Sequence, residues 1–598
     1  MSVRARFDFL GTGDAPPLLF HAPDRVIVAR TVEDVPAAMA AVDQGLRDGF
    51  HAAGYVSYEA AAAFDDALVT RPASALPLVC FGLFRSIEAA PPLTEPTLPT
   101  SPRWTPSMTA DEHARGVATV REAIAAGDTY QINYTFRLNA MQDPATVEAL
   151  YAHLMRAERA PFAAHLDLGS DLGGWQLLSL SPELFFQLRD GRLVTRPMKG
   201  TAPRGRWAEE DTALRDGLAT STKNRAENVM IVDLGRNDMS RVCTVGSVAA
   251  TSLFDVERYP TVWQMVSTVE GQVRPGVGLQ DIFAALFPAG SITGAPKSSS
   301  MRLIAALERE PRGAYCGAIG YASPDGNATF SVAIRTMTVD AGTGQATYGI
   351  GGGITWDSVA GDEHDEAMQK AACLDIRPPF SLIETLRLEK SVFVRLGRHL
   401  DRLRASADYF GFECDVERLR TVLGAHAGTC TAEAHRVRLL LNRQGHVGVQ
   451  IDRLLPTPAG PLMFTVATEP VNSRDRFLCH KTTRREVYER QGERQSAPHV
   501  EVAEASPWDV LLWNERGEVT EFTRGNLVLE LDGVRCTPAR ESGLLAGVFR
   551  AELLDQHQVV ERVLTREDLA QATRVWFINS VRGSVLVTVG DTGARARR

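Results

Sequence analysis

Short apolar runs alternate with one amphipathic stretch in the first 85 residues of the chain. Apolar runs at 26–30, 52–60 and 77–84 have the length of strands, and the pattern from Val35 to Arg47 predicts a helix. A Pro-rich segment, 91–106, comes next. Because proline cannot donate a ladder hydrogen bond, this segment predicts an exposed connector inside one domain.

Helical and strand-like patterns then alternate from residue 108 to residue 376. Within 129–139 apolar side chains recur at every second position, with Tyr130, Ile132, Tyr134 and Phe136 on one face, which indicates a strand. The other predicted elements are helices at 108–126, 205–231 and 362–375, a strand at 330–339 and a Gly-rich hairpin at 345–356.

A helix cannot easily run into two prolines, and 377–379 reads Arg-Pro-Pro. We therefore place a boundary there and predict two domains, 1–376 and 380–598. A strand at 382–388 and a helix at 400–410 open the second domain. Both halves mix helices and strands, so the predicted class is α+β, with largely antiparallel sheets in the first half and an α/β unit after it.

The composition is that of a globular protein with more than one core. The chain has 598 residues, against about 100–200 for an average domain. The net charge of −9 and the pI of about 5.9 argue against nucleic acid as a partner. The only basic run, 595–598, is expected to be a frayed terminus.

Membrane and secretory signals are not evident in the sequence. No apolar run approaches the roughly 18 residues of a membrane span, and the N-terminus lacks the apolar core of a signal peptide. None of the eight cysteines forms a CxxC pair, and we interpret Cys243, Cys316 and Cys479 as small buried residues. These features predict a cytoplasmic protein in a reducing compartment.

A set of polar and Gly-rich motifs runs through the first half in a fixed order. They are AGDTYQINYTFRL at 126–138, SPELFFQL at 181–188, RPMKGTAPRG at 196–205, KNRAENVMIVDLGRND at 223–238, FPAGSITGAPKSSSMRLIAALE at 287–308, RGAYCGAIGY at 312–321, FSVAIRT at 330–336, GIGGGITWDS at 349–358 and DEHDEAMQK at 362–370. In this order they resemble the chorismate-utilising enzymes, which include the anthranilate synthase large subunit, aminodeoxychorismate synthase component I and the isochorismate and salicylate synthases. The resemblance covers about residues 20–376.

Chorismate is a dianion, so a site for it needs cations and free backbone N–H groups. The glycines of 290–296 and 349–355 can bring N–H groups close to an anion. Arg335 can bind a carboxylate bidentately, and Lys370 offers a second cation. The substrate-binding residues that we assign on this resemblance are Gln131, Thr201, Tyr315, Arg335, Gly351, Gly352 and Lys370.

Three glutamates are the candidate metal ligands. Glu363 and Glu366 lie three residues apart on one predicted helix, where two like charges destabilise the helix unless a cation compensates them. The same spacing also fits a solvated acidic helix start. The resemblance implies Mg²⁺ held by Glu227 and Glu366, with Glu363 bound directly or through water, next to the ring carboxylate of the substrate.

Two residues carry the predicted chemistry. Glu183 matches the general acid of the family, which protonates the departing C4 hydroxyl. In the motif that contains Lys199, anthranilate synthases carry Ala and aminodeoxychorismate synthases carry Lys, whose amine can attack C2 covalently. Gln131 stands where the isochorismate and salicylate synthases carry a water-activating lysine. Where many members carry a His before a Val-Ser pair, this chain reads WQMVS at 263–267, so no role of that His is carried over.

The stretch 380–598 resembles fold-type IV aminotransferases and aminodeoxychorismate lyase. The matching motifs are FSLIETLR at 380–387, RHLDRLRASADYFGF at 398–412, HKTTRREVYE at 480–489, DVLLWNERGEVTEFTRGNLVLE at 509–530, GLLAGVFR at 543–550 and FINSVRG at 577–583. The resemblance implies pyridoxal 5′-phosphate bound covalently by Lys481, with Glu521 beside the pyridine nitrogen. The phosphate site that it implies consists of Arg402, Gly547, Val548, Phe549 and Ser580.

The combined motifs predict a fusion enzyme that converts chorismate through 4-amino-4-deoxychorismate to 4-aminobenzoate for folate. Ammonia is expected from a separate glutamine amidotransferase subunit or from free ammonium, and the second domain is a candidate homodimer. Two alternatives stay open. One is an anthranilate synthase-type enzyme, against which Lys199 argues. The other is an aminodeoxychorismate synthase whose second domain is a catalytically idle interaction module.

Overall fold

A computed structural model describes residues 3–12, 16–93, 102–158, 160–375, 378–428, 434–458, 462–495 and 508–590. Three features singled out in the sequence lie wholly or partly outside these ranges: the middle of the Pro-rich connector, Arg377 at the predicted boundary, and the basic run 595–598. The chain divides into two compact units, one formed by 1–204 and 214–378 and the other by 205–213 and 379–598.

The first unit is built from twenty strands and eight helices among its described residues. The strands are β1 Arg4–Asp8, β2 Leu18–Phe20, β3 Arg25–Ala29, β4 His51–Val56, β5 Val79–Phe84, β6 Glu88–Ala89, β7 Thr105–Pro106, β8 Gln131–Met141, β9 Phe162–Asp167, β10 Trp175–Ser181, β11 Leu184–Arg189, β12 Arg192–Arg196, β13 Met198–Pro203, β14 Ala249–Arg258, β15 Val262–Gln272, β16 Gly294–Ala295, β17 Ala318–Ala322, β18 Ala328–Val332, β19 Thr336–Asp340 and β20 Gln345–Ile354. The helices are α1 Val35–Arg47, α2 Ala110–Ala125, α3 Val147–Glu158, α4 Ala208–Thr220 (whose first residues cluster with the second unit), α5 Thr222–Ser240, α6 Leu279–Leu286, α7 Lys297–Leu307 and α8 Ala360–Lys370.

Two antiparallel sheets form the body of this unit. One has the order β16-β8-β20-β19-β10-β9-β1-β2-β6, with β7 on β8, and the other has the order β13-β15-β12-β11-β18-β17-β4-β5-β3, with β14 on β15. Apolar side chains from both sheets, such as Phe7 and Phe20 of one and Tyr55 and Phe84 of the other, share one buried cluster. The inner faces of the sheets therefore pack on each other, as in a sandwich.

The helices cover the outer faces of the two sheets. Side chains of α1 and α6 share a buried cluster with β5, and side chains of α2, α3 and α8 share another with β8 and β20. The capping box of α2, in which Thr109 and Glu112 satisfy each other's backbone N–H groups, fixes where that helix begins. The α+β class and the largely antiparallel sheets are confirmed.

Three predicted elements of this unit are wrong in detail. The segment 330–339 is not one strand, because β18 belongs to one sheet and β19 to the other, and the chain crosses between them at 333–335. The segment 205–231 holds two helices, because Ser221 caps a new helix start. The segment 345–354 is a single strand, and the hairpin turn lies before it.

The second unit contains two sheets. Its strands are β21 Leu382–Glu389, β22 Val392–Phe393, β23 His435–Leu441, β24 Val447–Arg453, β25 Leu462–Val466, β26 Asp509–Trp513, β27 Val519–Phe522, β28 Gly525–Leu531, β29 Val534–Pro538, β30 Val560–Arg562, β31 Arg574–Asn579 and β32 Gly583–Val589. Its helices are α9 Leu396–Phe410, α10 Val416–Ala427, α11 Arg476–Cys479, α12 Glu486–Gln495, α13 Val548–Asp555 and α14 Arg566–Gln571.

The smaller sheet has the order β22-β21-β23-β24 and packs against α9 and α10. The larger has the order β27-β26-β25-β32-β31-β28-β29-β30 and is mixed, because β25 runs parallel to β26 and β32. The three cysteines interpreted as buried are buried and free. Among the described residues, no helix is both long and apolar enough to cross a membrane.

Candidate active sites

A cavity of about 370 Å³ in the first unit collects most of the residues that the sequence singled out. Strands β8, β13 and β20 and helices α5 and α8 contribute to its lining. Of the predicted residues, those that line it are Gln131, Glu183, Lys199, Thr201, Glu227, Tyr315, Arg335, Gly351, Glu363, Glu366 and Lys370.

Gly352 is the exception among them, and its neighbour Gly353 lines the cavity instead. Side chains alternate along a strand, so a Gly-rich motif alone does not say which glycine faces the site. A Cβ on Gly353 would lie 2.8 Å from Lys199 Nζ and 2.4 Å from Gln131 Nε2. Gly353 therefore lets β20 approach these two side chains closely.

Lys199 lies on β13, and its backbone is held from α5. Asn228 Nδ2 donates to the Lys199 carbonyl at 3.2 Å, and Ser267 Oγ in turn donates to Asn228 Oδ1 at 2.5 Å. Burial lowers the pKa of Lys199, against the opposing charges of Glu227 and Glu183 and with the like charge of Lys370. The lowered pKa increases the fraction of Lys199 in the neutral form, whose amine has a free lone pair.

Glu183 is buried, with 4% of its surface exposed, just before β11. Ser291 Oγ donates to its Oε1 at 2.6 Å. Burial raises the pKa of Glu183 to about 7, although the Ser291 hydrogen bond and the charge of Lys199 oppose the shift. A carboxyl with such a pKa can carry a proton at neutral pH, which a surface glutamate cannot. Nothing in the sequence identified Ser291, because its motif reads as a turn.

The three glutamates lie near one another in the cavity but do not form a preassembled cage. Within the described ranges, no group of three His, Cys, Asp or Glu side chains is already arranged around a metal position. Two of the three have other partners: Ser358 Oγ donates to Glu363 at 2.6 Å, and Lys370 Nζ lies 2.9 Å from Glu366 Oε1. The assignment of Glu227, Glu363 and Glu366 as Mg²⁺ ligands therefore stays a prediction.

The donor chemistry nevertheless fits magnesium, which takes one or two protein carboxylates and completes its shell with water and substrate oxygens. Burial raises the pKa of Glu227 and of Glu363, and the negative charge of Glu366 adds to both shifts. Glu366 is therefore close enough to repel each of the other two carboxylates. A hard cation would relieve that repulsion.

The cationic side of the cavity is held by backbone and side-chain contacts. Lys370 Nζ donates to the Gly351 carbonyl at 2.8 Å. Arg335, at the crossing between the sheets, has φ +50 and lies 3.4 Å from Glu158. A non-glycine residue in this region of φ is strained, and such strain concentrates at functional sites. The guanidinium of Arg137 lies over the ring of Tyr315.

Sequence reasoning also missed polar residues that line the same cavity. They are Asn133, Lys223, Asn224, Gln264 and Thr355. Gln264, on β15, contacts the neighbouring strand β13. Its Nε2 donates to the Gly200 carbonyl at 2.8 Å, and its Oε1 accepts from Thr201 Oγ1 at 3.0 Å. Here the residue supports the Lys199–Gly200–Thr201 segment.

In the second unit, Lys481 lies beside the first strand. The Ile383 N–H donates to the Lys481 carbonyl at 2.9 Å, so β21 fixes the backbone of the lysine. Burial lowers the pKa of Lys481 to about 8, with help from the charges of Arg402 and Arg485 and against those of Glu384 and Glu521. A lysine with this pKa is partly neutral near pH 7 to 8 and can act as a nucleophile or base.

Glu521 on β27 is buried among donors. It accepts hydrogen bonds from Tyr488 Oη at 2.9 Å and from the Leu545 N–H at 3.1 Å, both on Oε1. Burial raises its pKa to about 7, against these donors and the charge of Lys481. Asn526 Nδ2 donates to the Leu545 carbonyl at 2.7 Å and to Glu521 Oε2 at 3.4 Å, so it joins the acid to the segment before α13.

The residues of the predicted phosphate site surround the start of α13. Arg402 Nη1 donates to the Ala546 carbonyl at 3.3 Å, and Gly547 leaves no room for a Cβ against Asn526. Gly547 is the N-cap of α13 and is followed by Val548 and Phe549, so free N–H groups lie there for an anion. Ser580 Oγ lies 2.8 Å from His399 Nε2.

A cavity of about 260 Å³ lined by Arg402, Ala546 and Val548 lies in this unit, but neither Lys481 nor Glu521 lines it. The donor set as a whole fits pyridoxal phosphate: a buried amine of lowered pKa, a buried carboxyl, a guanidinium and a helix N-terminus. Arg402 already donates from Nε and Nη2 to Glu384, so only its other N–H groups face away from that carboxylate.

The comparisons with known proteins agree with this layout. Residues 8–375 match the family model described as chorismate binding enzyme, and residues 381–589 match that of class IV amino-transferases. A Streptomyces griseus protein named aminodeoxychorismate synthase is 44% identical over 265 residues, which are 44% of this chain and 36% of that protein. A Klebsiella aerogenes protein named aminodeoxychorismate synthase component 1 is 43% identical over 267 residues, 45% of this chain and 58% of that one.

Among solved structures, anthranilate synthase component I from Streptococcus pneumoniae TIGR4 aligns with a TM-score of 0.53 at 25% identity, covering 62% of this chain and 92% of that one. The two curated relatives above are matched over only about a third to just over half of their own length. The family model, in contrast, takes in well over half of this chain and every residue of the first cavity. The chain therefore belongs to the family of chorismate binding enzymes.

Proposed function

We propose that the chain makes 4-aminobenzoate for folate synthesis in two steps. The first unit aminates chorismate to 4-amino-4-deoxychorismate in a Mg²⁺-dependent reaction, and the second removes pyruvate with pyridoxal phosphate. The observation that carries the proposal is the placement of Lys199, an amine of lowered pKa, in one cavity with the buried acid Glu183. We further propose cytoplasmic location and ammonia supply by a separate glutamine amidotransferase.

In the first step, Lys199 Nζ attacks C2 of chorismate while Glu183 gives its proton to the leaving C4 hydroxyl. Ammonia then attacks C4, and the bond from C2 to Lys199 breaks, which regenerates the lysine. Arg335 and Lys370 supply cations for the two carboxylates of the substrate. Glu227 and Glu366, with Glu363, would hold Mg²⁺, which neutralises charge and polarises the ring when it is bound.

In the second step, Lys481 holds and moves the proton that must leave the ring and reach the enolpyruvyl group. Its pKa of about 8 suits a group that both accepts and returns a proton. Pyridoxal phosphate, when bound, supplies the electron sink. Glu521 would pair with the pyridine nitrogen, and Arg402, the N-terminus of α13 and Ser580 would bind the phosphate.

An anthranilate synthase is the main alternative for the first unit, and Lys199 argues against it because that reaction needs no nucleophile at this position. A direct test is to incubate the purified chain with chorismate, Mg²⁺ and ammonium, with and without pyridoxal phosphate. The proposal expects 4-aminobenzoate with the cofactor and aminodeoxychorismate without it. Anthranilate as the product would reject it.

The pH dependence of the first step should follow Glu183. Because this acid must be protonated and has a pKa of about 7, kcat/KM for chorismate should fall about tenfold per pH unit once the pH is above both pH 7 and the lowered pKa of Lys199, where the amine is already neutral. The measurement holds the concentration of free NH₃ constant at each pH. Ser291→Ala removes a donor to the ionised form and should move this limb to higher pH, whereas an unmoved limb would exclude Glu183 as its origin.

Magnesium dependence should change in Glu227→Gln and in Glu366→Gln. Each variant loses one hard carboxylate donor, so the Mg²⁺ concentration for half-maximal activity should rise roughly 10- to 100-fold. Asp365→Asn is a matched control, because Asp365 lies on the same helix with 81% of its side chain exposed. The ligand assignment is wrong if both variants keep the parent magnesium dependence while their circular dichroism stays native.

A further inference from the structure

A buried carboxylate, Glu384, lies at the centre of a hydrogen-bonded cluster in the second unit. Arg402 donates to it from two nitrogens, from Nε to Oε1 at 2.9 Å and from Nη2 to Oε2 at 2.7 Å. His399 Nδ1 lies 2.6 Å from Oε2. Only 1% of the Glu384 and His399 side chains is exposed. A buried carboxylate is tolerated where hydrogen-bonding partners compensate its charge. Here Arg402 and His399 are those partners.

The cluster connects segments that are distant in sequence. The other ring nitrogen of His399, Nε2, lies 2.8 Å from Ser580 Oγ in the turn after β31, so the cluster extends to Ser580. Arg402 Nη1 donates to the Ala546 carbonyl, directly before the N-cap of α13. Glu384 itself lies next to Ile383, whose N–H holds the Lys481 carbonyl. One side chain on β21 thus links the arginine, the serine and the start of α13 to the strand that holds the lysine.

The negative charge of Glu384 fixes the orientation of the Arg402 guanidinium. Burial alone would raise the pKa of Glu384, but the charges of Arg402 and His399 hold this pKa at about 2. The carboxylate is therefore an ionised acceptor at neutral pH. A guanidinium has five N–H donors in a fixed fork. Glu384 takes the Nε–Nη2 edge and the Ala546 carbonyl takes one N–H of Nη1, so the guanidinium keeps one N–H on Nη1 and one on Nη2 for another anion. Without Glu384 the arginine would lose the partner that fixes its plane.

We propose that Glu384 is the positioning residue of an anion site for the phosphate group of pyridoxal phosphate, holding Arg402 directly and Ser580 through His399. The proposal rests on the function proposed for the second unit. An oriented guanidinium, a serine hydroxyl and a helix N-terminus are donors that suit a phosphate, and they meet around one carboxylate that fixes two of them. Glu384 touches no ligand itself and acts through its partners.

The test compares pyridoxal phosphate with pyridoxal, which has the same ring and aldehyde but no phosphate. Dissociation constants of both for the full-length protein are measured by absorbance and fluorescence titration. In Glu384→Gln the constant for pyridoxal phosphate should rise roughly 10- to 100-fold, the loss typical when a residue that orients a ligand-binding group is removed. The constant for pyridoxal should stay within about threefold of the parent value.

Glu389→Gln is the matched control, because Glu389 ends the same strand and pairs with Arg387 at 3.0 Å outside the cluster. It should leave both constants unchanged. His399→Asn cuts the link to Ser580 and keeps the Arg402 pair, so it should weaken pyridoxal phosphate binding less than Glu384→Gln does.

Equal loss of both ligands, or no loss of either, in a folded Glu384→Gln protein overturns the proposal. If that variant does not fold, Glu384→Asp keeps the charge and shortens its reach, and an unchanged ratio of the two constants in it would also overturn the proposal. A parent protein that binds neither compound rejects the function proposed for the second unit, and the role of Glu384 with it.

Discussion

Lys199→Ala is expected to abolish aminodeoxychorismate formation, with a rate loss on the order of 10³-fold or more, the scale seen when a nucleophile is removed. Alanine has no lone pair to attack C2, so ammonia would have to displace the C4 hydroxyl without the covalent intermediate. If ammonia instead adds at C2, the product shifts toward anthranilate. Product analysis by chromatography separates the two results.

Lys199→Arg is the informative companion variant. Arginine keeps a positive charge in the cavity but stays protonated, so it tests whether the lysine acts as a nucleophile or as a cation. A nucleophilic role predicts that Arg is as inactive as Ala, whereas a purely electrostatic role predicts substantial rescue. Wild-type rate and unchanged product in Lys199→Ala would remove this residue from the mechanism.

The residue content of the first cavity could be predicted well from the sequence, because its members lie in compact motifs. Glu183, Lys199 and Glu227 belong to three separate motifs and nevertheless line one cavity. The helix Val35–Arg47 was predicted with the bounds that it has, because its apolar spacing and its start are both local signals.

What the sequence could not supply depends on contacts between distant residues. The crossing of the chain from one sheet to the other at 333–335 is not visible in the sequence FSVAIRTMTV, because no Gly or Pro marks the break and the strands on both sides read alike. Ser291 is recognisable only once its hydroxyl lies against Glu183, 108 residues away. Likewise, the strand motif that contains Glu384 does not indicate that Arg402 on the next helix lies against it. The Glu384–Arg402 pair could therefore not be predicted from the sequence.

The second unit gives the other large expected effect. Lys481→Ala should lose the visible absorbance of bound pyridoxal phosphate and should lower release of 4-aminobenzoate and pyruvate by at least about 10³-fold, as expected when one residue serves as both cofactor anchor and proton carrier. The first unit should still consume chorismate at the parent rate, because its cavity contains no residue of the second unit. Aminodeoxychorismate should therefore accumulate.

This variant also separates the proposed lyase from an idle interaction module. An idle module predicts no cofactor band in the parent protein and no change in product when Lys481 is replaced. A lyase predicts that adding an independent aminodeoxychorismate lyase to Lys481→Ala restores 4-aminobenzoate, since only the second step is missing. Arg485→Gln serves as a control for charge, because Arg485 lowers the pKa of Lys481. Removing that charge should raise the pKa and shift the pH optimum of pyruvate release upward without abolishing it. If Lys481→Ala releases 4-aminobenzoate and pyruvate at the parent rate, the lyase assignment is wrong.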